Sequence, residues 1–229
     1  MEHVVDSKNQ QKLPYHKILW FVGILLLLAL IEPIVFNNGS SEKTLYPESV
    51  QEIIYPQPKP LQVFSLVDHQ NSSYGLEQLD GKWTFVVFGY THCPDICPAT
   101  LSQLTNLSQL MAEKVKQGLL PQFLFVSVDP SRDNVNVLKE YIKYFDDGFI
   151  AATGTMKNIV AFEDQFNVFH QYDTPDSDGN YAVTHSAEIY LVDPGARIVA
   201  KFTPPISTHK VAQQYQDLMS YFDKHNNKT

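Results

Sequence analysis

The chain is poor in sulfur and has no basic face. Two cysteines occur in 229 residues, too few for the disulfide framework of a small secreted domain. Lysine and arginine number 17 against 25 acidic residues, a net charge of −8, and they gather into no stripe. A nucleic-acid surface is therefore not expected. No internal repeat and no low-complexity tract is present. The 44% apolar content is enough for one sizeable core with room for an appendage.

Long apolar runs are also scarce, with one exception near the amino terminus. From Ile18 to Ile31 every residue is apolar or glycine, and after Glu32 and Pro33 the character resumes through Phe36. As a helix, 18–36 is about 28 Å long, close to the hydrocarbon thickness of a bilayer. Lys8, Lys12 and Lys17 precede the run and place residues 1–17 on the cytoplasmic side. No cysteine follows it, which excludes a lipoprotein. The first 17 residues hold Glu2 and Asp6 and no arginine, unlike a mitochondrial transit peptide. No small-x-small site follows, so an uncleaved anchor is favoured over a signal peptide. The expected location is a bacterial inner membrane, single-pass, with the remainder in the periplasm. Residues 37–60, with Pro47, Pro56, Pro58 and Pro60, read as an extended tether, and 61–229 as the folded domain.

Within that domain, apolar runs and helical periodicities alternate. Strands are expected at 62–68, 83–88 and 122–128, with a helical turn at 75–79. Helices are expected over 98–116, around Leu138–Phe145, over 156–166 and from Ser207. A hairpin is expected around Asp193-Pro194-Gly195, and a polar loop at 173–180. This order predicts an α/β sandwich.

Both cysteines fall in one stretch, Gly89-Tyr90-Thr91-His92-Cys93-Pro94-Asp95-Ile96-Cys97-Pro98, between a buried strand and a helix. Spaced i and i+4 on a helix, their side chains share a face about 5–6 Å apart. They could close a disulfide or grip one soft ion. A helix amino terminus also lowers thiol pKa, so redox exchange and metal binding both remain open.

Two thiolates need a partner to hold a metal, and eight histidines supply the candidates. His3 and His16 precede the anchor, His225 is in the tail, and His69 and His209 sit at element ends. His170 has no distinguishing context. His92 adjoins Cys93 but is better placed to cap or orient than to ligate. His185 stands apart, in Val183-Thr184-His185-Ser186 immediately before the hairpin on a segment able to return beside the cysteines, although spacing alone does not make it a ligand. Two thiolates and one imidazole suit Cu(I), and with slight expansion Cu(II). Structural zinc generally takes a fourth ligand, and the acidic loop lacks the spacing of a calcium-binding hand.

Three ordered motifs carry a resemblance: Thr91-His92-Cys93-Pro94-Asp95-Ile96-Cys97-Pro98, Val126-Ser127-Val128-Asp129-Pro130-Ser131-Arg132-Asp133, and His185-Ser186 followed by Tyr190-Leu191-Val192-Asp193-Pro194-Gly195. The chain resembles the Sco/SenC family of membrane-tethered assembly factors over about 61–222. The resemblance implies a thioredoxin-like fold, a central mixed sheet flanked by helices, and delivery of copper to cytochrome c oxidase. It implies copper ligands at Cys93, Cys97 and His185, and a Cys93–Cys97 disulfide when oxidised. Asp129 corresponds to a carboxylate near the site, with capping of the following helix an equal expectation. Asp95 is placed to tune the thiols or meet a partner. Many relatives carry an acid immediately before the histidine, where this chain has Thr184.

The partners so implied are the oxidase subunit that holds the copper site, an upstream copper donor and a thiol reductant. A thiol–disulfide oxidoreductase, with Cys93 and Cys97 as its redox pair, or a redox sensor is the competing expectation. His185 separates the two, because metal delivery needs its nitrogen and dithiol exchange does not.

Overall fold

The computed structural model describes residues 46–115 and 120–226, together with Trp20. The expected cytoplasmic segment 1–17, the anchor 18–36 and the first part of the tether otherwise lie outside the described residues. Among the described residues no helix is long and apolar enough to cross a membrane.

The unit from Tyr46 onward is organised by two apolar runs. Strand β4 (Thr84–Gly89) is buried at every position, and β5 (Gln122–Ser127) at all but its first. Runs apolar on both sides of the pleat have to be covered on both faces. These two pair in parallel, and β6 (Ile150–Thr153) continues the parallel set beside β5. Antiparallel strands complete the sheet. On the β4 side lie β9 (Ile189–Val192), β10 (Arg197–Phe202) and β1 (Ile54–Pro60). Beyond β6 come β2 (Leu66–Asp68) and β3 (Ser73–Tyr74). The order is β1-β10-β9-β4-β5-β6-β2-β3, a mixed sheet with its buried parallel strands at the centre.

Alternation along β4 assigns the helices. Phe85 and Val87 point to one face, with Leu101, Leu104 and Met111 of α2 (Ile96–Lys114), Leu138 and Ile142 of α3 (Val135–Lys143), and Tyr215 and Leu218 of α5 (Thr208–Asn226). Val86 and Phe88 point to the other, with Leu79 of α1 (Leu76–Leu79) and Ile159, Phe162 and Phe166 of α4 (Met156–Phe166). The expected hairpin is β9–β10, and the expected strand at 62–68 narrows to β2.

One sequence expectation needs correction. The tether does not run to residue 60. Glu48–Val50 form a helical turn with Val50 fully buried, and Gln214 Nε2 donates to Ser49 O at 2.7 Å. Ile54–Pro60 pairs antiparallel with β10. Its prolines stand at alternate positions of an edge strand. Lys201 N donates to Ile53 O and Leu61 N donates to Ala196 O, so both ends of the strand are bonded to β10. Between Ile54 and Lys59 the register shifts, and prolines without an N–H are accommodated at such an irregularity on an edge strand. The domain therefore begins near Tyr46.

The expected polar loop at 173–180 is present, as the tip of a hairpin between β7 (His170–Tyr172) and β8 (Val183–His185), which form a two-stranded sheet of their own. Asp176 shapes the tip by accepting bonds from Asp178 N and Asn180 N.

Candidate metal centre

At the end of β4 the chain turns through Tyr90–Asp95 and enters α2 at Ile96. Cys93 lies on this turn, and Cys97 in the first turn of the helix. Cys97 N donates to Cys93 Sγ at 3.3 Å, which puts the partly exposed sulfur at the positive end of the helix. Both cysteines are free thiols. Cys97 is 3% exposed, and burial pushes its thiol well above the ordinary range.

The third group comes from β8. His185 Nε2 lies 3.2 Å from Cys97 Sγ. Its Nδ1 is 2.8 Å from Ser186 O, an atom that can only accept. Nδ1 must therefore carry the proton, and a neutral ring presents its Nε2 lone pair to the sulfur. Burial lowers the imidazole pKa, which favours this neutral form. The ligand atoms of Cys93, Cys97 and His185 all lie within 4.8 Å of one another, and small side-chain adjustments suffice to close them on one ion. Among the described residues this is the one group of three His, Cys, Asp or Glu side chains whose ligand atoms converge. Burial opposes the thiolate, and a bound cation replaces the proton that burial retains.

Gly89 makes room for the buried sulfur. A Cβ at this position would stand 2.7 Å from Cys97 Sγ and 2.8 Å from Phe125 Cε2. Only glycine lets β4 approach so closely. The sequence shows the residue but not this role, because the clash partners come from α2 and β5.

The remaining sequence candidates hold the site from outside. Asp129 is fully buried and caps no helix, since Asn134 accepts the amide bonds at the start of α3. Asp129 takes Arg132 Nε at 2.5 Å and the Tyr181 hydroxyl at 2.9 Å. The Arg132 guanidinium lies 3.6 Å from the Tyr181 ring centroid, and its Nη1 donates to Tyr181 O. Tyr172 donates to Val128 O at 2.6 Å. These bonds tie both strands of the β7–β8 hairpin to the loop after β5. Val183 N donates to the Tyr90 hydroxyl, and the Tyr90 ring meets His185 edge-on.

Asp133, quoted in the second motif without a role, fixes the cysteine turn. It accepts from Thr91 N at 2.9 Å, Thr91 Oγ1 at 2.5 Å and Ser127 Oγ at 2.6 Å. His92 has a 55% exposed side chain and stands 3.8 Å from Asp133, outside the converging set. Asp95 is exposed at the start of α2 and makes no capping bond. Thr184 is exposed, on the opposite face of β8 from buried Val183 and half-buried His185. An acid at this position would point outward, and Ser186 O orients the ring instead.

A mixed sheet of this order, with a dithiol at the start of the helix after its central strand, defines a thioredoxin-like protein, and the converging imidazole gives it a soft-metal donor set. The SCO1/SenC family model matches residues 56–220, and the chain belongs to that family. It is 35% identical to the SCO2-like protein RP587 of Rickettsia prowazekii over 155 residues, 67% of this chain and 74% of the relative. The crystal structure of Arabidopsis thaliana ScoI with copper bound is 31% identical with a TM-score of 0.65, covering 70% of this chain and 98% of that one. Yeast Sco1 with copper bound is 27% identical with a TM-score of 0.67, covering 75% and 96%.

Proposed function

We propose that this chain binds copper through Cys93, Cys97 and His185 and delivers it to the copper site of a cytochrome c oxidase. The observation that carries the reading is the convergence of two sulfurs and one neutral imidazole nitrogen. This soft, low-coordinate set suits Cu(I). Family membership and the copper-bound relatives support it. Copper is the cargo here. A target offering more or better-placed ligands takes it by associative exchange, with the partly exposed Cys93 as the point of entry. We further propose that residues 18–36 anchor the chain in a bacterial inner membrane with the domain in the periplasm. The apolar run and the lysines before it support that placement, which keeps the site near a membrane-embedded oxidase.

The contrast between the two thiols favours a second activity of the same site. Cys93 is half-buried and Cys97 buried. As a thiolate, Cys93 attacks a disulfide of the target, forms a mixed disulfide and releases one target thiolate. Cys97, once deprotonated, attacks the Cys93 sulfur and releases the second. The target leaves as a dithiol and the chain as the Cys93–Cys97 disulfide, which a thiol reductant from outside must reset.

Copper uptake by the reduced full chain tests the first reading, beside oxidase assembly in a strain lacking the gene. Stoichiometric copper and an oxidase deficient in its copper site are expected. A reduced chain that takes up no copper overturns it.

A further inference from the structure

The element that brings His185 to the cysteines shares no strand pairing with the main sheet. Side chains must therefore set its position. Asp129 and Arg132 hold it from the loop after β5. From helix α4 a buried polar pair does so, beside the apolar cluster that Phe162 and Phe166 share with Val183 and Tyr172. Glu163 is 2% exposed, and its Oε2 lies 2.7 Å from His170 Nδ1, whose side chain is 7% exposed. Among the described residues the other carboxylate oxygen, Oε1, is buried without a hydrogen-bond partner. A carboxylate this deep is costly to keep, and among the described residues His170 is the one side chain it bonds. Burial pushes its carboxyl upward against the pull of the histidine.

His170 stands directly opposite His185 in the hairpin register. Residues so opposed project from the same face, with Cβ atoms about 4.5–5.5 Å apart. The His170 ring also packs edge-on against Tyr172 at 5.2 Å. A side-chain chain thus runs from α4 through Glu163 and His170 to the strand position beside His185, whose Nε2 meets Cys97.

We infer that Glu163 and His170 are positioning residues for the imidazole of His185: their buried bond fixes the face of the β7–β8 hairpin from which that ring reaches the sulfurs. The inference rests on the copper reading. Neither residue touches the converging atoms. Their action is to hold the strand pair at the depth where Nε2 and the two sulfurs can share an ion.

The test uses the reduced full chain and its Glu163→Leu, Glu163→Gln and His170→Phe variants. Copper affinity is measured by chelator competition, and geometry by the Cu(II)–thiolate absorption band. The rate at which the dithiol reduces a small disulfide and the melting temperature are followed alongside. Glu163→Leu and His170→Phe are expected to weaken copper binding about tenfold or more, as partners behind metal ligands do, and to shift the band. Dithiol reactivity should stay unchanged. Glu163→Gln keeps an oxygen that accepts from His170 and should bind within about threefold of the unaltered chain, a fraction of the loss that a broken partner causes. His170→Phe keeps the ring packed on Tyr172 and decides the matter where Glu163→Leu does not fold. A folded His170→Phe chain with unaltered affinity and spectrum overturns the inference, and so does Glu163→Gln binding as weakly as Glu163→Leu. If the unaltered chain holds no copper, the copper reading falls and this inference with it. If it binds and the variants bind equally, only this inference falls.

Discussion

His185 Nε2 and Cys97 Sγ stand 3.2 Å apart although 88 positions separate them in the chain. One atom belongs to a helix after a central strand, the other to a short hairpin outside the main sheet. Their contact, beside those of Tyr90 with Val183 and His185, brings the two pieces of backbone together at the proposed copper site.

His185→Ala removes one of the three proposed ligands. Copper affinity should fall by at least about a hundredfold, more than the 10–100-fold typical of groups that merely support a ligand. Dithiol oxidation and reduction should proceed at the unaltered rate. Chelator competition and a disulfide-exchange assay on the same preparation check both. Unchanged affinity would remove His185 from the site.

Gly89→Ala places a methyl group 2.7 Å from the Cys97 sulfur and 2.8 Å from Phe125. Neither neighbour has free space, because Cys97 and Phe125 are both buried. Overpacking of this kind costs about 1–3 kcal/mol, readable as a lower urea midpoint. Copper affinity should fall as well, since the sulfur that must move is a proposed ligand. A variant with unaltered stability and binding would show that β4 yields easily.

The apo chain should lose stability in alkali. Burial raises the Cys97 thiol above its ordinary value near 9, so the folded state holds this proton more tightly than the unfolded chain. Such a group contributes its stability below the unfolded pKa and loses it as pH rises beyond. Buried Tyr74 and Tyr215 act in the same direction. Denaturation series between pH 7 and 10 on the unaltered chain and Cys97→Ala isolate the thiol. The alkaline slope should be shallower in the variant, and equal slopes would refute the assignment.

A domain cut at Leu61 should be much less stable than one cut at Tyr46. The longer piece retains β1 and buried Val50. Burial of such a side chain contributes about 2 kcal/mol by itself, before the lost pairing with β10. Equal melting temperatures for the two pieces would return residues 46–60 to the tether.

Much of the central architecture was legible because β4 and β5 are continuous apolar runs and α2 carries its leucines at helical spacing. Strand β1 was not, because three prolines at alternate positions read equally as an extended linker or as an edge strand. Only the pairing with β10 decides between them. The β7–β8 hairpin was hidden for another reason. Its strands are three residues long, too short for alternation to register, and side chains such as Tyr172 and Tyr181 hold it in place. At the site, the cysteine pair was plain from spacing. Its place before the hairpin set His185 apart from seven other histidines, but only resemblance to a known family made it a ligand, since spacing does not reveal a contact made across 88 positions. Gly89, Asp133 and Glu163 act through neighbours distant in sequence, which periodicity does not reveal.

The separate two-stranded sheet bearing His185 has a further consequence. Withdrawing this arm breaks the Tyr90, Arg132, Tyr172 and Glu163 attachments described above but no rung of the eight-stranded ladder. Opening of a small unit can then occur well below the free energy of global unfolding. On the proposed copper reading, unloading is thereby uncoupled from melting the protein, so a robust scaffold can still let go.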